Sequence, residues 1–215
     1  MIDKLRAAYW IPILKVYIPE YIYFKKKEQM KEVVLCFLDI ESNMLRSSWL
    51  NSWAAKLAPR SQYKRPPQVH VELFFRSDGD SNEGHCTSIV YNKKIHWFKK
   101  KFSRQWSFRS IWMDEHVYAK LKAYCLQHVG CGFNKVGFFL LGLGIRFPGS
   151  FSSLFGFRQR FFCSEYISAA LLHCELLPPK TPRVIHPQTL YEIIAPISSI
   201  TTIKHYGANE ISYDI

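Results

Sequence analysis

Residues 161–174 read FFCSEYISAALLHC and place a cysteine directly before a run with the spacing of a helix. The apolar side chains that recur three and four positions apart are Tyr166, Ile167, Ala170, Leu171 and Cys174. This period predicts an α-helix of about ten residues with Cys163 at or next to its N-terminus. Backbone N–H groups at that end point toward the sulfur, and the helix dipole favours a thiolate. The alternative is a structural cysteine, because most free cysteines are small core residues.

Length and composition indicate one globular domain with a substantial core. The chain has 215 residues, of which 48% are hydrophobic and 21% are charged. Both fractions are ordinary for a globular protein, and this length buries a sizeable apolar core. The net charge of +12 favours an anionic partner, either nucleic acid or an anionic membrane surface. A soluble enzyme that happens to be basic is the alternative.

Cysteine usage indicates a reducing compartment. The six cysteines are Cys36, Cys86, Cys125, Cys131, Cys163 and Cys174. None forms a CxxC pair or stands with histidines at zinc spacing, so we expect neither a disulfide framework nor a metal site, and no motif indicates a cofactor. The apolar N-terminal stretch is interrupted by prolines and charges, and we expect no signal peptide and no transmembrane span. A cytoplasmic location follows, with association with a virus particle left open.

The chain divides into three predicted parts. Residues 1–32 form a basic, aromatic extension that we expect to be packed or docked on a partner, because its aromatic side chains are too apolar for a solvated tail. Residues 33–195 form the main domain, and residues 196–215 form a C-terminal tail. Within the domain, apolar patterning predicts strands at 33–40, 69–75, 85–91, 95–98 and 106–112. It predicts helices at 43–57, 114–129, 135–143 and 188–194, the third of them a buried core helix.

A candidate base for the cysteine lies on the second predicted strand. A thiol nucleophile needs a histidine to take and return the proton and a third polar group to orient the ring. His70 and Glu72 share one face of that strand, about 6.6 Å apart along it. Either residue alone is more often structural, but a charge among hydrophobic neighbours is costly unless it is paired. His85, on the returning strand, is the other candidate for the third position.

The order of these segments resembles the circularly permuted, NlpC-like branch of the papain fold. The matching segments are HVELFF at 70–75, FNKVGFFLLG at 133–142 and FFCSEYISAALL at 161–172, separated by a hairpin, a tryptophan-containing strand and a helix. YiiX-like bacterial and phage members and related poxvirus predicted cysteine hydrolases are similar over about residues 33–180. The resemblance implies an α+β fold with a central antiparallel sheet packed against the cysteine helix. It also implies a thiol hydrolase that uses Cys163, His70 and Glu72.

The reaction that this reading implies is hydrolysis of an amide, peptide or isopeptide bond through a thioester on Cys163. The Cys163 backbone N–H would stabilise the oxyanion together with a side chain that the sequence does not identify. Ser164 and Glu165 are interpreted as helix-start residues.

Two other functions stay open at the level of sequence. One is acyl transfer or deacylation of a lipid with the same residues. It is less favoured because the lecithin:retinol-acyltransferase-like branch carries Asn-Cys-Glu-His around its nucleophile, where this chain has Phe-Cys-Ser-Glu. The other is a non-catalytic, basic structural or nucleic-acid-binding protein on a retired hydrolase fold.

Overall fold

The computed structural model describes residues 30–42, 56, 58–59, 66–77, 80–100, 102, 106–142 and 160–201. The chain forms two compact units, Met1–Met30 and Lys31–Ile215, and nearly all of the described residues belong to the second. Three predictions fall outside the described residues, apart from single positions. They are the packing of the N-terminal extension, the helix at 43–57 and residues 144–160, whose glycines and serines predict a loop.

Within the described residues, eight strands form two sheets. In chain order they are β1 Met30–Asp39, β2 Gln68–Ser77, β3 Asp80–Ser88, β4 His96–Lys99, β5 Trp106–Asp114, β6 Gly132–Phe133, β7 Arg160–Phe161 and β8 Ser199–Thr201. The six-stranded sheet has the order β4-β3-β2-β1-β5-β8, and its β1–β2, β2–β3, β3–β4 and β5–β8 pairs are antiparallel. The short β6–β7 pair is parallel. The predicted mixed α+β class with an antiparallel sheet is therefore confirmed.

In the part of the chain that the structure describes, four helices accompany the sheets: α1 Glu115–Gln127, α2 Lys135–Gly142, α3 Cys163–His173 and α4 Pro187–Ile193. A 3-10 turn at Ala195–Ile197 leads into β8. The side chain of Asp114 accepts a hydrogen bond from the Val117 N–H at 2.9 Å and caps the start of α1. Among the described residues, no helix is long and apolar enough to cross a membrane.

The five strands predicted from the sequence are all present, with shifted ends. The largest shift is in β3, which begins at Asp80 and not at residue 85, because Ser77 already pairs with Asp80. At the C-terminus, Ser199–Thr201 pairs with β5 as a strand of the main sheet. These residues lie within the stretch interpreted as a tail.

The two faces of β2 contribute to different cores, as the alternation of its sequence predicts. Val71, Leu73 and Phe75 lie in the larger core together with α3. Phe74 lies in a second core on the other face, with partners from β1, β3 and β5. Because side chains alternate across a strand, this arrangement fixes which β2 residues share a face.

Helix α3 is buried on every side, which its periodicity did not predict. All residues from Cys163 to Leu171 are buried, including three polar ones, Ser164, Glu165 and Ser168. The sheet and helices α1 and α4 pack around it. The hydroxyl of Tyr166 is hydrogen-bonded to Thr87 Oγ1 at 2.9 Å and to the Cys125 carbonyl at 3.3 Å. Tyr166 therefore links α3 to both β3 and α1.

The prediction that residues 135–143 form a helix is confirmed, but the prediction that this helix is buried is wrong. Phe138 turns inward against Phe133 and Phe162, with ring centroids 5.6 and 6.1 Å away. Val136 is 55% exposed and Phe139 is 36% exposed. The helix is apolar on all faces, so its sequence carries no polar stripe that would mark which side faces water.

Candidate active site

Cys163 is the first residue of α3, as the sequence predicts. Phe162 before it is extended, with φ of −108° and ψ of 172°. The Phe162 N–H donates to Glu165 Oε2 at 3.3 Å, and the Tyr166 N–H donates to the Phe162 carbonyl at 2.9 Å. The sulfur therefore lies at the N-terminal end of a helix whose first turn is held by a side-chain carboxylate.

The structure brings His70 and Cys163 together across 93 positions of sequence. Cys163 is among the groups that raise the pKa of His70, so the sulfur lies within interaction range of the ring. His70 lies near the start of β2, where the register with β1 shifts between Leu38 and Asp39. The ring is largely buried, with 13% of the side chain exposed.

Glu72 lies beside His70 on the same face of β2, which is the arrangement predicted from the alternation of the strand. Its Oε1 is 3.1 Å from His70 Nε2, and the side chain is fully buried. Ser88 Oγ, from the end of β3, lies 3.2 Å from the same ring nitrogen. Nε2 of His70 therefore has oxygen partners from both β2 and β3. His70 thus lies between Glu72, to which it is hydrogen-bonded, and Cys163, which also raises its pKa.

Lys100 lies on the far side of Glu72, and sequence reasoning missed it. Its Nζ is 2.7 Å from Glu72 Oε2, and only 9% of its side chain is exposed. The ammonium also lies 3.9 Å from the centroid of the Trp106 ring. A basic run such as that at 99–101 predicts a solvated strand edge, and this prediction is wrong for Lys100, which is buried. One signal was present, since a carboxylate in a buried strand needs a compensating charge.

Cys86 is the second partner that sequence reasoning did not identify. Cys86 lies on β3, and its thiol donates a hydrogen bond to Glu72 Oε2 at 3.0 Å. Burial and the nearby Glu72 charge raise the pKa of this thiol well above its usual range. Cys86 therefore serves the site as a neutral hydrogen-bond donor to the carboxylate. Nothing in the local sequence around Cys86 distinguishes it from the other buried cysteines.

His85, the alternative third residue, is placed elsewhere. It pairs with Phe75 across the β2–β3 hairpin, and its ring stacks on Trp97 with the centroids 5.6 Å apart. It makes no hydrogen bond to His70 or Glu72 within the described part of the chain. The hairpin register instead brings Ser88 to the His70 ring.

The electrostatics of the site favour charged forms of His70 and Glu72 at neutral pH. Burial lowers the pKa of His70, but hydrogen bonds to Cys163 and Glu72 and their charges outweigh it and raise that pKa to about 9. Burial raises the pKa of Glu72, but Lys100 and His70 outweigh it and hold that pKa well below its usual range. An imidazolium and a carboxylate are therefore paired beside the sulfur.

Glu165 is a buried carboxyl in the first turn of α3. Its Oε2 accepts from Asn134 Nδ2 at 3.0 Å as well as from the Phe162 N–H. Burial raises the pKa of Glu165 to about 7, against the lowering effects of Asn134, Arg183 and the Phe162 N–H. Asn134 also accepts from the Gly137 N–H at 2.9 Å, so this residue joins the starts of α2 and α3. The interpretation of Glu165 as a helix-start residue agrees with these bonds.

Comparisons of the chain with protein-family models, curated proteins and solved structures give no match. Within the described residues, no group of three or more His, Cys, Asp or Glu side chains could hold a metal ion. All six cysteines are free thiols. The geometry of the site is therefore the basis for assigning a function.

We expect Cys163 to be alkylated faster than the other five cysteines in the native protein at neutral pH. The positive charge of His70 lies beside its sulfur and would stabilise an anionic sulfur during the reaction. Cys131 is the internal control, because it is the one cysteine that is only half-buried. Limited labelling with iodoacetamide followed by peptide mapping measures the order. Labelling that follows exposure, with Cys131 first, would contradict the activation of Cys163.

Proposed function

We propose that this chain is a cysteine hydrolase that cleaves an amide, peptide or isopeptide bond through a thioester on Cys163. The observation that carries the proposal is the grouping of Cys163 with His70, whose ring is hydrogen-bonded to Glu72, which is in turn paired with Lys100. A nucleophile, a proton carrier and an orienting carboxylate in this order are the parts that thiol hydrolysis requires.

In the proposed reaction, the Cys163 sulfur attacks the carbonyl carbon of the substrate as an anion, and the carbonyl oxygen becomes the oxyanion. The N-terminus of α3 offers that oxyanion a backbone N–H. The tetrahedral intermediate collapses as the C–N bond breaks, and the amine leaves with the proton from the His70 imidazolium. Neutral His70 then takes a proton from water, whose oxygen attacks the thioester carbonyl. The C–S bond breaks, which releases the acid and restores the Cys163 thiolate beside the His70 imidazolium.

Glu72 and Lys100 are assigned supporting roles in this reaction. Glu72 holds the ring of His70 through Nε2 and stabilises the imidazolium. Lys100 keeps Glu72 ionised inside the sheet, since an unpaired carboxylate there would take up a proton. Ser88 adds a second contact to the same nitrogen and restricts rotation of the ring.

The fold that we propose for this chain is a permuted, NlpC-like variant of the papain fold. The histidine strand β2 precedes the cysteine helix α3 in the chain, and α3 packs on the β2 side chains of the larger core. This order and packing support the assignment that the sequence resemblance implies. This chain and the permuted NlpC-like fold share two features. An antiparallel strand carries the histidine, and the N-terminus of a helix carries the cysteine.

A second candidate reaction uses the same residues on a lipid ester or acyl donor. Transfer and hydrolysis share the thioester intermediate, and they differ only in the group that accepts the acyl chain. The observation that favours this candidate is the exposed apolar side of α2, formed by Val136 and Phe139. Phe138 of the same helix packs against Phe162, next to the nucleophile.

The direct test is to trap the acyl group. The protein is incubated with peptide, amide and lipid-ester substrates, quenched in acid and examined by mass spectrometry of the peptide that carries Cys163. We expect a thioester adduct on Cys163 that disappears in Cys163→Ser, and its mass identifies the substrate class. An unmodified Cys163 with every class, in a protein that has not been inactivated by oxidation, would contradict the proposal.

Glu72→Gln should lower turnover by about tenfold to a thousandfold, a range set by acid–base contributions and by loss of a triad orienter. His85→Gln is the matched control and should leave turnover nearly unchanged, because its ring stacks on Trp97 away from the site. Turnover is measured on the substrate found by trapping, and circular dichroism verifies folding. An inactive His85→Gln beside an active Glu72→Gln would place the third residue on β3.

We expect kcat/KM to fall as the pH rises through about 9, the raised pKa of His70. The reason is that the imidazolium, which protonates the leaving amine, is present below that pH and is lost above it. Glu72→Gln removes one of the groups that raise this pKa, so the alkaline limb should move to lower pH. Initial rates across the pH range, with stability checked at each pH, measure the alkaline limb of the wild-type protein and of the variant. If the alkaline limb does not move in the variant, the group that titrates in this limb is not His70.

A further inference from the structure

One corner of the domain combines exposed cations with exposed apolar side chains. We call it the basic corner and define it by Lys94, Val129, Lys135, Val136, Phe139 and Arg160. Two backbone contacts bring its parts together, since Gly132 bridges to Lys94 on one side and pairs with Arg160 on the other. The Gly130 N–H donates to the Ile95 carbonyl at 2.9 Å, which fixes the turn that carries Val129. Helix α2 begins at Lys135, directly after β6.

Lys94 and Arg160 lie on either side of Gly132, which has no side chain. Lys94 and Arg160 are both neighbours of Gly132, so their backbones lie about 10 Å apart, or two strand spacings. A Cβ built on Gly132 would meet nothing within 4 Å, so the space between the two cations is open. Side chains of this length can therefore converge on one anionic group above the glycine.

No acidic residue offsets these charges nearby in the sequence. The chain has no Asp or Glu between Glu115 and Glu165, a stretch that includes α2 and β7. Lys94, Lys135 and Arg160 are exposed, and none of them forms an ion pair within the described residues. The corner thus presents positive charge that the described part of the fold leaves uncompensated.

The apolar side chains of the basic corner are exposed, and aromatic residues pack beneath them. Val129 is 44% exposed, Val136 is 55% exposed and Phe139 is 36% exposed. Behind them, Tyr91 packs on Phe133 with ring centroids 5.1 Å apart. A rigid surface with several exposed apolar side chains indicates an interaction site, because such side chains in water are unfavourable.

We propose that the basic corner docks the protein on an anionic phospholipid surface. Phosphate groups of the lipid heads match Lys94, Lys135 and Arg160, and the boundary of the acyl region accommodates Val129, Val136 and Phe139. Nucleic acid would use the same cations, but aliphatic side chains gain little from a phosphodiester strand, and base stacking requires aromatic faces. The combination of the two kinds of side chain therefore favours a lipid surface.

Docking in this way is independent of the proposed thiol chemistry, but it bears on where that chemistry takes place. Arg160 precedes Cys163 by three residues through an extended segment, about 10 Å of chain. A membrane bound at the basic corner would therefore border the candidate nucleophile.

The test is co-sedimentation of the full chain with vesicles of phosphatidylcholine alone and with added phosphatidylserine. We expect binding to the anionic vesicles, and binding weaker by about tenfold or more in Lys94→Glu/Arg160→Glu, because each basic residue near such a surface contributes appreciably. Lys56→Glu/Lys180→Glu is the control, since it makes the same charge change at two exposed lysines outside the corner. If the two variants lose vesicle binding equally, net charge alone explains the binding and the proposal is overturned.

A second pair of variants separates lipid from nucleic acid. Val136→Ser/Phe139→Ser should weaken vesicle binding, whereas Ile197→Ser, at an exposed residue elsewhere, should not. Binding of a DNA duplex is measured alongside. Tight DNA binding that the charge variant abolishes and the serine variant leaves intact, with no vesicle binding, would overturn the proposal in favour of nucleic acid. Cys163→Ser should bind vesicles normally, so failure of catalysis and failure of docking are distinguishable.

Discussion

A buried carboxylate, Glu72, is the constraint on which the rest of the site depends. It is fully buried in the middle of the sheet, and its two oxygens are taken by His70 on one side and by Lys100 and Cys86 on the other. Removing one partner of a buried ion pair leaves an uncompensated charge that costs about 3–5 kcal/mol. Lys100, directly after β4, reaches across β3 to this carboxylate on β2, so the pair spans three neighbouring strands.

The cysteine helix is tied to its surroundings by polar contacts as well as by the apolar core. Glu165 joins the first turn of α3 to Asn134 at the start of α2, and the hydroxyl of Ser164 donates to the Ile185 carbonyl at 2.6 Å. The side chains of Ser164 and Glu165 are buried, so these contacts give partners to polar groups that cannot reach water. The position of Cys163 relative to His70 is therefore set by several elements and not by α3 alone.

Much of the site could be predicted from periodicity, and the remainder could not for identifiable reasons. The period of two in β2 put His70 and Glu72 on one face, and the helical period after residue 163 put the cysteine at a helix start. The choice between Glu72 and His85 stayed open, because the register of β2 with β3 depends on a turn that the sequence does not specify. Lys100 was missed because it stands among identical neighbours, and only its packing distinguishes it from Lys99.

Patterns in the sequence were sufficient to predict strands β1 to β5 and helices α1 to α4, the residues that alternate on β2, and the start of a helix at Cys163. These properties come from backbone geometry, which repeats every 2 or about 3.6 residues and leaves a pattern in the chain. Tertiary structure alone decided that Lys100 is buried against Glu72, that Ser88 reaches His70 and that α2 exposes Val136 and Phe139. Each of these depends on contacts between segments distant in sequence, and no local period encodes such a contact.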